Sequence, residues 1–303
     1  MILTYPNGQE VDVQFDDTAH SYVVAHKMSN GSWSDYRPTH GATTPLEMIP
    51  KPYLKPWASK LGVHATLEYF YQNPNITDKL PEFFRDYELN HDNVRLENGK
   101  PAMSDYMFKK HYPWYGQLKN THKTASDDGK EAGTWIHASI ENYYKSGRKV
   151  LPILTPEVEP IWESFLGFDN FYHPVPDKDG LEFIVYSITH GYSGQGDYRG
   201  MLNGKHTIGD WKSTNRGYSS PEGISTEYFY QVGGLALAEF ERTGKWVDDL
   251  FIANFDKKGE EHRVIWASDF GMSPQDAARA YVVFLNAYHM HQNWDYKFKK
   301  RDR

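Results

Sequence analysis

The stretch GDYRGMLNGKHTIGDWKS, Gly196 to Ser213, constrains this chain more than any other. Asn203-Gly204 at its centre is the pair that a two-residue type I′ turn requires, because both turn positions need positive φ. A hairpin closed there sets Leu202 opposite Lys205. The same register carried back sets Asp197 opposite Asp210 and Gln195 opposite Lys212. Side chains alternate along a strand, so Asp197, Asp210 and Lys212 fall on one face. Opposed residues bring their Cβ atoms within about 4.5–5.5 Å, where like charges repel. A strand pair that keeps two carboxylates there calls for a cation between them, and oxygen ligands suit a divalent ion. Two acids, a lysine and a cation form a layout for phosphodiester hydrolysis, in which ion and lysine activate water and offset developing charge. The plainer alternative is a pair of solvated acids flanking a turn, or a register slipped by a bulge.

Whole-chain properties exclude several other chemistries. The 303 residues contain no cysteine, which removes disulfides, cysteine-ligated zinc, iron–sulfur clusters and cysteine nucleophiles. A net charge of −7 argues against a protein coated in basic surface, although a locally basic channel would still serve nucleic acid. The opening MILTYPNGQEVDV has no signal-peptide pattern and no apolar run is long enough to span a bilayer, so an intracellular, soluble protein is expected.

Residues 1–45 read as a small β unit, from the alternating runs VDVQFDD and SYVVAHK. Prolines 50, 52 and 56 break the helical pattern that follows, and prolines 74, 81, 101 and 113 interrupt the polar, aromatic region 71–125. Within it, Asp105 to Lys123 carries Lys109, Lys110, Lys119 and Lys123, interleaved with Tyr106, Phe108, Tyr112, Trp114 and Tyr115. Alternating rings and cations suit a single nucleic-acid strand, stacking bases while tracking phosphates. Equally, the rings could be core and the lysines solvated.

From Asp127 to Lys145 the pattern is helical, with Asp128 and Glu131 at capping-box spacing and Ala132, Ile136, Ile140 and Tyr143 as the apolar stripe. His137 and Glu141 sit at i and i+4 on the adjacent face, and such a histidine is more often structural than a ligand. A second helix spans Pro156 to Tyr172, and Leu181 to Thr189 is a strand with Glu182 at its start. After the hairpin comes a helix from Thr226 to Arg242, with Gln231 on it and Gly233-Gly234 inside it, placed there for close packing on the sheet. Asp249–Phe255 and His262–Trp266 form a further strand pair, and Ser273-Pro274 opens a terminal helix. The order α, α, β, β, β, α, β, β, α predicts a compact α/β core from about residue 126 to 296. Residues 1–125 are then an added cover and 297–303 a basic tail.

In order along the chain, GTWIH, G-x-G-D, I-G-D-W-K-S and Y-Q-V-x-G resemble the motifs of the PD-(D/E)XK nucleases, in the RecB-like branch that includes phage and mitochondrial exonucleases. FDDTAHSYVV and ATTPLEMIPK resemble the N-terminal hairpin and helix start of phage members. The resemblance implies a central mixed sheet flanked by helices, behind an N-terminal hairpin and helical extension. It implies Mg²⁺ or Mn²⁺, one or two ions, held by His137, Asp197, Asp210 and the Trp211 carbonyl, with Asp197 able to bridge. Lys212 would orient or deprotonate the attacking water, and Gln231 would help position the lysine or the scissile phosphate. Leu235 stands where the branch has a tyrosine. Glu141 and Glu182 are further candidates, and Lys109, Lys110, Tyr112, Trp114, Tyr115, Lys119, Arg199 and Ser213 are candidate DNA contacts. The implied function is a DNA exonuclease acting on single-stranded ends, working with phage or host replication and recombination proteins. A structure-specific endonuclease on the same core, and a non-catalytic DNA-binding relative, are the alternatives.

Overall fold

In the computed structural model the described residues are 1–16, 21–49, 54–90, 103–214, 225–259 and 261–299. They divide into two compact units, residues 1–50 with 132–303 and residues 51–131.

The first unit opens with β1 (Ile2–Thr4), β2 (Glu10–Asp16), β3 (Ser21–His26) and β4 (Arg37–Gly41). After the C-terminal part of α5 (Thr121–Lys145) and then α6 (Glu159–Tyr172) come β5 (Val175–Ser187), β6 (Tyr192–Leu202) and β7 (Lys205–Thr214). Next follow α7 (Glu227–Thr243), β8 (Asp249–Asp256), β9 (His262–Trp266) and α8 (Pro274–Lys299). This α, α, β, β, β, α, β, β, α succession is the one the sequence predicts. The strands join in one mixed sheet, with β1-β2-β3-β4-β6-β7-β8-β9 as neighbours and β5 on the other edge of β6.

Helices cover both faces. On one, Tyr192, Ile208 and Ile252 pack with Val232 and Leu235 of α7 and with Tyr281 and Leu285 of α8. On the other, Tyr198, Trp211, Phe251 and Phe255 pack with Ile136 and Ile140 of α5 and with Trp162, Phe165 and Phe168 of α6. The central hairpin turns as its sequence requires, with Asn203 at φ 51° and Gly204 at φ 75° and Leu202 paired to Lys205.

Two local expectations are corrected. Asp128 does not open the helix, which already runs from Thr121. Gly233 and Gly234 accommodate α8 rather than the sheet. A Cβ on Gly233 would lie 2.5 Å from the Ala277 carbonyl carbon, and one on Gly234 would lie 2.9 Å from the Tyr281 ring.

The second unit holds α1 (Leu54–Gln72), α2 (Leu80–Asn90), α3 (Asp105–His111), α4 (Pro113–Lys119) and the start of α5. Its core is aromatic: Phe83, Phe108 and Tyr112 are buried, with Tyr87, Trp114 and Tyr115 packed against them.

Helix propensity alone would make Gly233→Ala stabilising by about 1 kcal/mol. Against the backbone of α8, overpacking should win and destabilise by about 1–3 kcal/mol. A urea midpoint above wild type would show that α8 does not press on α7 at this position.

Candidate active site

The β6–β7 ladder keeps the turn's register as far as Tyr198–Gly209 and stops one residue short of the two aspartates. This corrects the expected pairing of Asp197 with Asp210, and of Gln195 with Lys212. Beyond the last bridge the strands part: β7 pairs with β8, setting Asp210 beside Ile252 and Lys212 beside Asn254, while β6 continues against β5. At the parting, Asp197 Oδ2 accepts the backbone N–H of Trp211 at 2.6 Å.

The residue that faces Asp197 is Glu182, which lies between the bridges Leu181–Tyr198 and Phe183–Gly196. Residues two apart on a strand should share a face. Here Leu181 packs into the α5–α6 core and Phe183 into the α7–α8 core. The chain changes face at Glu182, which has a φ of 48°. A side chain other than glycine held there costs on the order of 1 kcal/mol or more, a strain found where surroundings over-determine a functional geometry.

His137 reaches this break from α5. Its Nδ1 lies 3.3 Å from Asp197 Oδ1 and 3.7 Å from Glu182 Oε1, and its Nε2 lies 3.2 Å from the Trp211 carbonyl oxygen. Gln195 Nε2 donates to Glu182 Oε2 at 2.8 Å. A cleft of about 470 Å³ opens over the group, lined by Gly133, Thr134, His137, Glu141, Glu182 and Gln195. On the same strand as Trp211, the Lys212 ammonium contacts the buried Asp210 carboxylate and sits 5.0 Å from the centre of the Tyr228 ring.

The titrating groups push one another apart. Burial opposes a charge on His137, but Asp197, Glu182 and Asp210 overcome it and raise the imidazole to about 10. Burial likewise opposes ionisation of Asp197; the His137 and Lys212 charges and the Trp211 N–H hold its carboxyl below the usual range. Asp210 is driven the other way, upward, by burial that Lys212 only partly offsets and to which Asp197 adds. Burial raises Glu182 as well, against the pull of His137. Burial works against the Lys212 charge, yet Asp210 and Asp197 raise its pKa.

Ligand atoms of His137, Glu182 and Asp197 all lie within 4.8 Å of one another. One imidazole nitrogen with carboxylate oxygens could hold a metal ion, and the Trp211 carbonyl beside His137 adds a further oxygen.

The other candidates distribute unevenly. Glu141 lines the cleft and is ion-paired with Lys145 at 2.5 Å. Gln231 is half-buried on α7, one turn after Tyr228, and Ser213 is half-buried on β7 beside Phe255. The Arg199 guanidinium, largely buried, binds Asp177 at 3.0 Å and Glu239 at 2.8 Å. Tyr112 is buried, with its hydroxyl on Asp86, while Trp114 and Tyr115 are half-buried against the same cluster. Lys110 is exposed and Lys109 half-buried on α3; the side chain of Lys119 lies outside the described residues. Sequence inspection misses Tyr228, although its place one helical turn before Gln231 was a usable signal.

No protein-family model matches this chain, and no curated protein sequence does. The crystal structure of an alkaline exonuclease from Laribacter hongkongensis is similar over 56% of this chain and 84% of that one, at 12% identity and a TM-score of 0.31. No described helix is long and apolar enough to cross a membrane.

At neutral pH the free protein carries a proton on His137, which ligation of an ion by that imidazole must displace. Binding of Mn²⁺ should therefore release at least one proton and strengthen as pH rises. Calorimetric titration in two buffers of different ionisation enthalpy checks this, and buffer-independent heats would remove His137 from the ligand set.

Proposed function

We propose that the protein is a divalent-metal-dependent deoxyribonuclease of the PD-(D/E)XK type, and that it acts as an exonuclease on DNA ends. The observation that supports this best is the meeting of His137, Glu182 and Asp197 where β6 and β7 part, with Asp210 and Lys212 on the next strand.

His137, Glu182, Asp197 and the Trp211 carbonyl would hold the ion, with Asp210 adjoining them. When bound, it supplies Lewis acidity at a phosphodiester oxygen and positive charge against the developing transition state. The protein's own part is preorganisation. Asp197 is fixed by the Trp211 N–H, so its other oxygen, beside His137, has a set direction before substrate arrives. Lys212 is held between the Asp210 carboxylate and the face of Tyr228, charged and largely removed from solvent. From there it orients an attacking water and faces the negative charge that forms at phosphorus. Gln231, one turn beyond Tyr228, is the candidate for steadying the lysine or the scissile phosphate. The cleft over His137 is where a phosphodiester backbone would lie.

End-labelled linear and closed circular DNA, single- and double-stranded, incubated with Mg²⁺ or Mn²⁺, test the proposal. Linear DNA should be degraded from its ends and circles spared; cutting of circles would turn the assignment to an endonuclease. Lys212→Ala should lower the cleavage rate by about 10²–10³-fold, the scale of losing one preorganised donor. Its DNA affinity in EDTA should stay within about threefold, since one cation among many phosphate contacts contributes little. A variant that cuts at the wild-type rate would refute the role given to this lysine.

A further inference from the structure

An apolar cavity of about 580 Å³ opens within the unit formed by residues 51–131. Its floor is α1, which contributes Gly62 and Thr66, and its walls include Phe83 and Phe84 of α2 and Trp114 and Tyr115 of α4. Gly62 lies well inside a 19-residue helix, where glycine weakens the helix. Among the described residues no packing reason explains it, because a Cβ built there meets nothing within 4 Å. Nor does a turn, because Gly62 is not among the residues of positive φ. What a side chain at this position would do is fill the cavity. Thr66 leaves the space apolar too, since its hydroxyl is turned back onto the Gly62 carbonyl at 2.7 Å.

The walls are rings and the far side of one wall is polar. Trp114 is stacked on Tyr69 at 6.0 Å, and it also lines an adjoining recess of about 560 Å³ that carries Lys79, His111, Asn73 and Glu82. A ring-lined cavity beside a lysine and a histidine matches a planar base joined to phosphate, whereas an aliphatic ligand would match only one half of it. Lys110 on α3 and Lys123 on α5 are exposed in the same unit.

We propose that this slot takes an unpaired nucleobase of a DNA strand, with the flanking phosphate toward Lys79 and His111. The identity of the strand as DNA rests on the nuclease reading above; the slot itself does not. Gly62 keeps it open, and the rings give stacking without choosing among bases.

The test uses the whole chain in EDTA, where nothing is cut, and three probes: fluorescein-labelled oligo(dT), the same strand carrying 2-aminopurine, and a blunt duplex. Gly62→Leu should melt no lower than wild type, because leucine is the better helix former. It should bind the single strand about tenfold or more weakly, lose the 2-aminopurine quenching, and bind the duplex as before. Phe84→Ala, which removes a half-exposed wall, should weaken the single strand in the same selective way should Gly62→Leu fail to fold. Single-strand binding by either folded variant at wild-type strength, or equal losses on strand and duplex, would overturn the slot. Full displacement of the strand by free thymidine monophosphate at matched concentration would overturn the assignment to a strand. The two readings separate cleanly. A wild type that cuts no DNA but loses strand binding with Gly62→Leu sinks the nuclease alone. A wild type that cuts DNA while Gly62→Leu binds normally sinks the slot alone.

Discussion

The bond from the Trp211 N–H to the Asp197 carboxylate is the contact on which the rest of the site depends. Where β6 and β7 separate, the N–H of Trp211 loses the strand partner that a continued ladder would supply. A buried donor left without an acceptor costs about 1–3 kcal/mol, so the parting is tolerable only if something replaces the strand. Asp197 replaces it at 2.6 Å. The Trp211 ring, 1% exposed in the α5–α6 core, anchors the same residue from its other end. Its carbonyl is then left facing His137 at 3.2 Å. One tryptophan thus fixes the direction of an acid through its N–H and of an imidazole through its C=O, while its side chain locks the strand.

A wedge between two strands holds its width only if each strand is held elsewhere. Gly209, next to Asp210, lies against the Phe251 ring, where a Cβ would come within 2.1 Å, so β7 and the side chains of β8 pack in direct contact. On the opposite face the paired glycines of α7 let α8 approach closely, and that presses Val232 and Leu235 toward the sheet. Tyr228 rides on the same helix, so the packing that seats α7 also sets the ring beneath Lys212.

The order of elements and the turn of the hairpin were legible because both depend on local chemistry: hydrophobic period, caps, and an Asn-Gly pair that must adopt positive φ. His137, Asp197, Asp210 and Lys212 could be singled out for the same reason, since short motifs carried them. What stayed hidden was decided over long sequence separations. A hairpin register carried past its last bridge pairs Asp197 with Asp210, whereas the acid across from it, Glu182, belongs to the preceding strand and gets there through a left-handed residue that no propensity marks. Arg199 sits in the hairpin beside the first acid, but its partners are 22 and 40 residues away. Rings interleaved with lysines around Tyr112 and Trp114 have the composition of a stacking surface. Phe83, from a different helix, packs on the buried Tyr112 and on Trp114, which also borders a cavity.

Charge at the site does not balance within the chain. Glu182 and Asp197 lie together, Asp210 is close enough to feel the Asp197 charge, and Lys212 and His137 are the cationic partners. The consequences appear in the shifted acids: Asp197 holds its charge because both cations serve it, whereas Asp210 and Glu182 are forced upward by burial and by their neighbours. Environments that drive adjacent carboxyls in opposite directions are a mark of sites that assign different roles to the same chemical group. The proton on His137 acts as an internal stand-in for missing positive charge. Exchanging that single proton for a divalent cation would add positive charge beside these carboxylates. A fold selected for stability alone would sooner have replaced one acid with an amide. Carboxylates held close together against their mutual repulsion fit a place where a metal ion could bind.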